Sequence, residues 1–161
     1  MHSFEVAIIA HALANIKNLY FNGEIDCNKI ALLALFHDAT EIITHDLPTP
    51  VKYYGEEMKK AYDNIKEFAK NELLEYLPED MREIYNPLLT HTKEDEELWK
   101  IVKAADRISA LIKCLEEKAN GNNDFLRAEN SIIKSIHSME MDEVEYFLEH
   151  FMPSYRFVDI K

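Results

Sequence analysis

The residues best able to do chemistry are His37 and Asp38, which follow the apolar run Ala31-Leu32-Leu33-Ala34-Leu35-Phe36 and precede Glu41. An adjacent His and Asp offer one imidazole nitrogen and one anionic oxygen, a mixed donor pair suited to a borderline divalent cation. The apolar run predicts a core helix that would hold both side chains on a rigid element. If that helix continues, His37, Asp38 and Glu41 share a face, because residues three and four apart are neighbours on a helix. A carboxylate beside a metal, and not needed as a ligand, can move protons for water. A His-Asp dipeptide alone is a weak signal, since a buried His satisfied by hydrogen bonds is the commoner use of such a residue.

Two further residues add to it. His2 stands one residue before a helical pattern of Phe4, Val6, Ile9, Ala10, Leu13 and Ile16. Asp106 interrupts the apolar helical stripe from Leu98 to Ile112, directly after Ala104 and Ala105. An Asp is almost never fully buried unless paired, so Asp106 calls for a cation. The segment itself leaves open whether that cation is an Arg or Lys side chain or a metal.

The order His2, His37-Asp38, Asp106, each on a different predicted helix, resembles the motif of the HD-domain metal-dependent phosphohydrolases. The loop Asp46-Leu47-Pro48-Thr49-Pro50-Val51-Lys52 is more specific and is similar to that of the bacterial HD-domain 5′-deoxynucleotidases. The resemblance continues through Ala105-Asp106 and Lys113-Cys114-Leu115-Glu116-Glu117 to Gly121-Asn122-Asn123, and so covers nearly the whole chain. It implies hydrolysis of deoxyribonucleoside 5′-monophosphates to deoxynucleoside and phosphate. It also implies one divalent metal on His2, His37, Asp38 and Asp106, a nitrogen and oxygen set that suits Mn, Co or Fe. Glu41 and Asp38 are then the catalytic carboxylates, and Asp46, Leu47, Pro48 and Thr49 hold the deoxyribose and its phosphate.

In that family a segment before the first metal His carries an Arg-Trp pair, the Arg for the phosphate and the Trp beside the sugar. This chain begins at Met1-His2; its first basic residue is Lys17 and its first arginine is Arg82. The sequence is therefore expected to be a single HD domain over residues 1–161, short at its N-terminus, with Lys52 as the substitute clamp rather than Arg107. Two other readings stand beside this one: another HD phosphohydrolase, acting on phosphodiesters or nucleotide polyphosphates, or a non-catalytic HD module that binds a nucleotide. The Asp46-Leu47-Pro48-Thr49 loop favours the phosphomonoesterase.

Composition sets the remaining bounds. A chain of 161 residues fits one domain with a sizeable core, and 47% apolar with 30% charged residues is ordinary for a globular protein. A net charge of −12 argues against nucleic-acid polymers and anionic membranes as partners, without excluding a small phosphorylated substrate beside a metal. No apolar run approaches the roughly 20 residues of a membrane span, and no signal peptide is visible. Cys27 and Cys114 show no metal spacing and read as small hydrophobes in a reducing compartment, so the expected location is the cytoplasm. There is no Gly-rich phosphate loop, nucleophile elbow or zincin motif. His11, His45, His91, His137 and His150 read as surface or packed residues, and Tyr53 and Tyr54 as packing residues that could also stack on a base.

The elements that must position these residues read as helices throughout. Gly23 ends the first, Asp26 caps a second that runs to about Glu41, and Thr44 to Gly55 is a loop with Pro48 and Pro50. A third pattern from Met58 to Leu74 stops before Pro78, and Glu79 to Tyr85 forms a short helix ended near Pro87. The acidic run Glu94-Asp95-Glu96-Glu97 opens a long helix to Asn120, where it suits the positive end of the dipole. Gly121 closes it, and two more helices follow, Asp124 to about Ser138 and Asp142 to Phe151 before Pro153. Period-two alternation is missing, so the expected fold is all-α, a compact bundle of six or seven helices. Tyr62, Phe68, Phe147 and Phe151 supply more apolar surface than one core of this size needs, which accords with the homodimer that the resemblance implies.

Overall fold

The computed structural model describes residues 1–45, 55–121 and 126–156, and every regular element among them is a helix. In chain order these are α1 (His2–Tyr20), α2 (Cys27–Phe36), α3 (Glu41–Thr44), α4 (Glu56–Glu75), α5 (Glu79–Leu89), α6 (Glu96–Ala119), α7 (Leu126–His137), α8 (Asp142–His150) and α9 (Met152–Arg156). The all-α expectation holds. Seven of the described helices have nine residues or more, and α3 and α9 are short pieces of four and five. The chain divides into two compact units, Met1–Leu35 together with the chain from Asp95 onward, and Phe36–Glu94.

In the first unit, α6 is the central element. It packs against α1, α7 and α9, and α1 packs in turn on α8. Of the expected α1 stripe, Val6, Ile9, Ala10, Leu13 and Ile16 are buried, in one core with Ile101, Val102, Ile108 and Ile112 of α6, whereas Phe4 is exposed. His2 meets Asp106 at one end of the pair and Lys17 meets Glu97 at the other, so α1 and α6 run antiparallel. Alanines at positions 10, 14, 104 and 105 are fully buried, and small residues of this kind let helix backbones approach closely.

Helix boundaries follow local chemistry. Asp26 caps α2 as expected: its Oδ1 accepts from the backbone N–H of Asn28 and of Lys29, each at 2.9 Å. At the end of α1 the left-handed position is taken by Asn22 (φ 54°), while the Gly23 amide donates to the Lys17 carbonyl at 3.1 Å. Gly23 is needed for close approach, because a Cβ there would stand 2.7 Å from Lys17 Cγ and 2.9 Å from Asn18 Oδ1. Gly121 does adopt a positive φ, 86°, after the last turn of α6.

The second unit holds α3, α4 and α5, with α3 and α5 both packed on α4. Arg82 joins α4 to α5: its Nε donates to the Leu77 carbonyl at 3.0 Å and its Nη2 to the Glu75 carbonyl at 3.2 Å, satisfying carbonyls at the end of α4.

Three expected boundaries are corrected. α2 stops at Phe36 rather than reaching Glu41. α5 runs through Pro87 to Leu89, because a proline in the last turn forfeits only one backbone bond and two more residues can follow it. Pro153 does not end the structure but sits second in α9, a first-turn position where its missing N–H costs nothing. Of the four aromatics expected to supply surplus apolar surface, Tyr62 and Phe147 are buried and Phe68 and Phe151 are exposed.

Candidate functional site

Two His–carboxylate contacts form, one in each unit. In the first, His2 is the opening residue of α1 and Asp106 lies midway along α6, and His2 Nε2 stands 3.0 Å from Asp106 Oδ1. Their side chains are 45% and 43% exposed, so Asp106 is not sealed in the core as its alanine neighbours suggested; its carboxylate reaches the rim, where a ligand can approach. His2 is one partner of that carboxylate. Arg107, next in sequence, turns to α7 and donates through Nη1 to the Ser135 carbonyl at 2.7 Å.

The far ring nitrogen of His2 is also held. His2 Nδ1 lies 3.2 Å from Ser109 Oγ, and Ser109 Oγ donates to Glu5 Oε2 at 2.6 Å. Ser109 is 2% exposed. His2 and Glu5 are three apart on α1, as Asp106 and Ser109 are on α6, so two helical faces bring four polar side chains into one row. Sequence reasoning missed Ser109 and Glu5. The three-residue spacing becomes informative only once α1 and α6 are paired.

In the second unit, His37 and Asp38 follow α2 directly, and His37 Nε2 stands 3.0 Å from Asp38 Oδ2. The His37 side chain is 8% exposed and that of Asp38 32%. They do not share a continuous helical face with Glu41. Residues 37–40 form tight turns, with Ala39 N–H to the Phe36 carbonyl at 3.0 Å and Glu41 N–H to the Asp38 carbonyl at 2.9 Å. Bonds of this three-residue type wind the backbone more tightly than an α-helix, which changes where each side chain points. Glu41 instead opens α3, which closes at His45 with φ 55°. Asp46, Leu47, Pro48, Thr49 and Lys52 lie outside the described residues.

The donor chemistry fits a divalent ion. Two ligands at right angles on a metal with bonds of about 2.1 Å stand about 3.0 Å apart, the separation found in both contacts. An imidazole nitrogen beside a carboxylate oxygen is also the ligand mixture that Mn, Fe or Co accepts. Two of the other histidines serve elsewhere: His137 pairs with Glu145 at 2.6 Å and His11 accompanies Asn15 on an exposed face. Both cysteine thiols are pushed up by burial, and then by the charge of Asp26 at Cys27 and of Glu129 at Cys114, so neither is primed as a nucleophile.

The chain can now be set beside known proteins. The profile of the family described as 5′-deoxynucleotidase YfbR-like matches residues 1–155. The chain belongs to that family. Among its relatives, a 5′-deoxynucleotidase of Klebsiella pneumoniae is 44% identical over 96% of this chain and 78% of its own length. The 5′-deoxynucleotidase YfbR of Escherichia coli is 45% identical over 96% of this chain and 77% of its own. The solved structure of an HD-domain phosphohydrolase from Listeria innocua superposes with a TM-score of 0.79 at 26% identity, covering 96% of this chain and 74% of that one. A conserved hypothetical protein of Pyrococcus furiosus, also 26% identical, gives a TM-score of 0.59 over 90% of this chain and 80% of its own. As a YfbR-like chain, it has the His, His-Asp and Asp residues within the matched span.

Proposed function

We propose that this YfbR-like chain is a metal-dependent phosphomonoesterase, a single HD domain over residues 1–161 that hydrolyses deoxyribonucleoside 5′-monophosphates to deoxynucleoside and phosphate. The observation that carries the reading is the His2–Asp106 contact of 3.0 Å in a chain whose family is that of the 5′-deoxynucleotidases. The ligand set would be His2, His37, Asp38 and Asp106, around one divalent ion, Mn, Co or Fe. When bound, the ion polarises the phosphate and makes water a better nucleophile.

The rest falls to the chain's own groups. Two neutral imidazoles and two carboxylates offset the charge of a divalent ion, so the phosphate dianion needs a further cation, and Lys52 is the residue proposed. Glu41 takes a proton from the attacking water and returns one to the 5′-oxygen of the departing nucleoside as its bond to phosphorus breaks. Asp46 and Thr49, with the backbone of Leu47 and Pro48, hold the deoxyribose and phosphate; these assignments rest on the resemblance of that loop. A cytoplasmic homodimer is part of the same proposal, supported by exposed Phe68 and Phe151. Among the described residues no helix is long and apolar enough to cross a membrane.

The test is phosphate release across nucleoside mono-, di- and triphosphates in deoxy and ribo forms, with metal analysis of the same sample. Release confined to deoxynucleoside 5′-monophosphates is expected. Preference for a di- or triphosphate would move the reading to another HD hydrolase, and binding without release to a nucleotide-binding module.

A further inference from the structure

We infer that Ser109 and Glu5 are positioning residues that fix the tautomer and ring orientation of His2 and aim its Nε2 lone pair at the metal. The inference rests on the metal-dependent reading above and assigns to it two residues outside the proposed ligand set. Ser109 has one hydroxyl hydrogen, and it is committed to Glu5 Oε2 at 2.6 Å, a length typical of a bond to a charged carboxylate. Ser109 Oγ can then only accept from His2 Nδ1, at 3.2 Å, so Nδ1 carries the ring proton.

With Nδ1 protonated, the neutral ring presents a lone pair at Nε2, and that atom faces Asp106 Oδ1 at 3.0 Å. A divalent ion would accept both lone pairs. An acceptor behind a ligating imidazole fixes its tautomer and ring orientation and raises its basicity. Here that acceptor is a buried hydroxyl, itself oriented by a carboxylate one turn along the same helix as the histidine. The row Glu5, Ser109, His2, Asp106 alternates between α1 and α6, so packing of the two helices holds it in place.

The experiment measures Mn²⁺ and Zn²⁺ affinity of the full chain by calorimetry, for wild type, Ser109→Ala, Ser109→Thr and Glu5→Gln, with circular dichroism and thermal melting of each metal-free protein. Imidazole nitrogen shifts of His2 in the Zn²⁺ form report the tautomer, with His2→Gln identifying the signal. Ser109→Ala is expected to bind metal about 10- to 100-fold more weakly while staying folded, and to lose the single Nδ1–H signature. Ser109→Thr, which keeps the hydroxyl, should recover most of the affinity. Glu5→Gln, which keeps an acceptor without the charge, should fall between. Wild-type affinity in folded Ser109→Ala, or a ring protonated at Nε2 in the wild type, overturns the inference. Should Ser109→Ala fail to fold, the Glu5→Gln affinity and the wild-type tautomer decide alone. A wild type that binds no divalent metal instead defeats the metal-dependent reading itself, so the two failures are distinct.

Discussion

His2 Nε2 and Asp106 Oδ1 meet at 3.0 Å with nearly half of each side chain exposed, so the contact is open to exchange with solvent. A contact this exposed contributes little to stability, and its imidazole nitrogen and carboxylate oxygen are a donor pair that a divalent ion accepts. Asp106→Ala is therefore expected to abolish stoichiometric metal binding with little change in the melting temperature of the metal-free protein. Retained metal at full occupancy would remove Asp106 from the ligand set. Glu41→Gln preserves shape and removes the charge; it should lower turnover by about 10²-fold or more while metal content is unchanged. An unaltered rate would leave Glu41 a structural role at the start of α3. The residue types of His2, His37-Asp38 and Asp106 were enough to suggest metal chemistry from the sequence. Ser109 and Glu5 were not visible there, because a serine and a glutamate carry no signal until two helices bring them to the back of a histidine.

At the scale of elements, most boundaries could be read from residues with a local mechanism. The side-chain oxygen of Asp26 binds amides only at a helix start, and Asp95 with Glu96 and Glu97 stands where α6 begins. Where the reading failed, the outcome depended on competition between backbone bonds. Phe36 ends α2 because residues 37–40 close three-residue turns, and Pro87 is passed because α5 has only two residues left after it. Asn18 gives an element-scale test. Its Nδ2 donates to the Ile25 carbonyl and its Oδ1 accepts the Ile25 N–H, both at 2.8 Å, which ties the end of α1 to the start of the chain into α2. Asn18→Ala leaves both backbone groups without that partner and should cost roughly 1–3 kcal/mol in urea unfolding. A change within about 0.5 kcal/mol would mean that water replaces the amide.

At the scale of the molecule, Lys17 joins three helices, donating from α1 to Glu97 of α6 at 3.0 Å and to buried Glu143 of α8 at 3.1 Å. Burial alone lowers the Lys17 pKa, but the hydrogen bonds and charges of Glu97 and Glu143 outweigh it and hold the value above the usual 10.5. A raised folded value means that the stabilisation is complete below 10.5 and is lost as pH rises through the folded value. Lys17→Met should thus be less stable than wild type by about 1.5–3 kcal/mol at neutral pH, with the gap closing only in strongly alkaline solution. A gap unchanged with pH would assign the loss to packing. The all-α architecture was legible in the helical periodicity and the scarcity of glycine and proline, whereas the extent of burial was not: Tyr62 and Phe147 match Phe68 and Phe151 in type and differ only in what covers them. Sedimentation at micromolar concentration should show a dimer, and a monomer alone would end that part of the proposal. The most direct test of metal-dependent deoxynucleotidase activity is phosphate release from deoxynucleoside 5′-monophosphates before chelation, after chelation, and after return of Mn²⁺ or Co²⁺. Release that stops with chelation and resumes with the metal, in wild type but not in Asp106→Ala, is the expected result; release that continues unchanged after the metal is removed would contradict it.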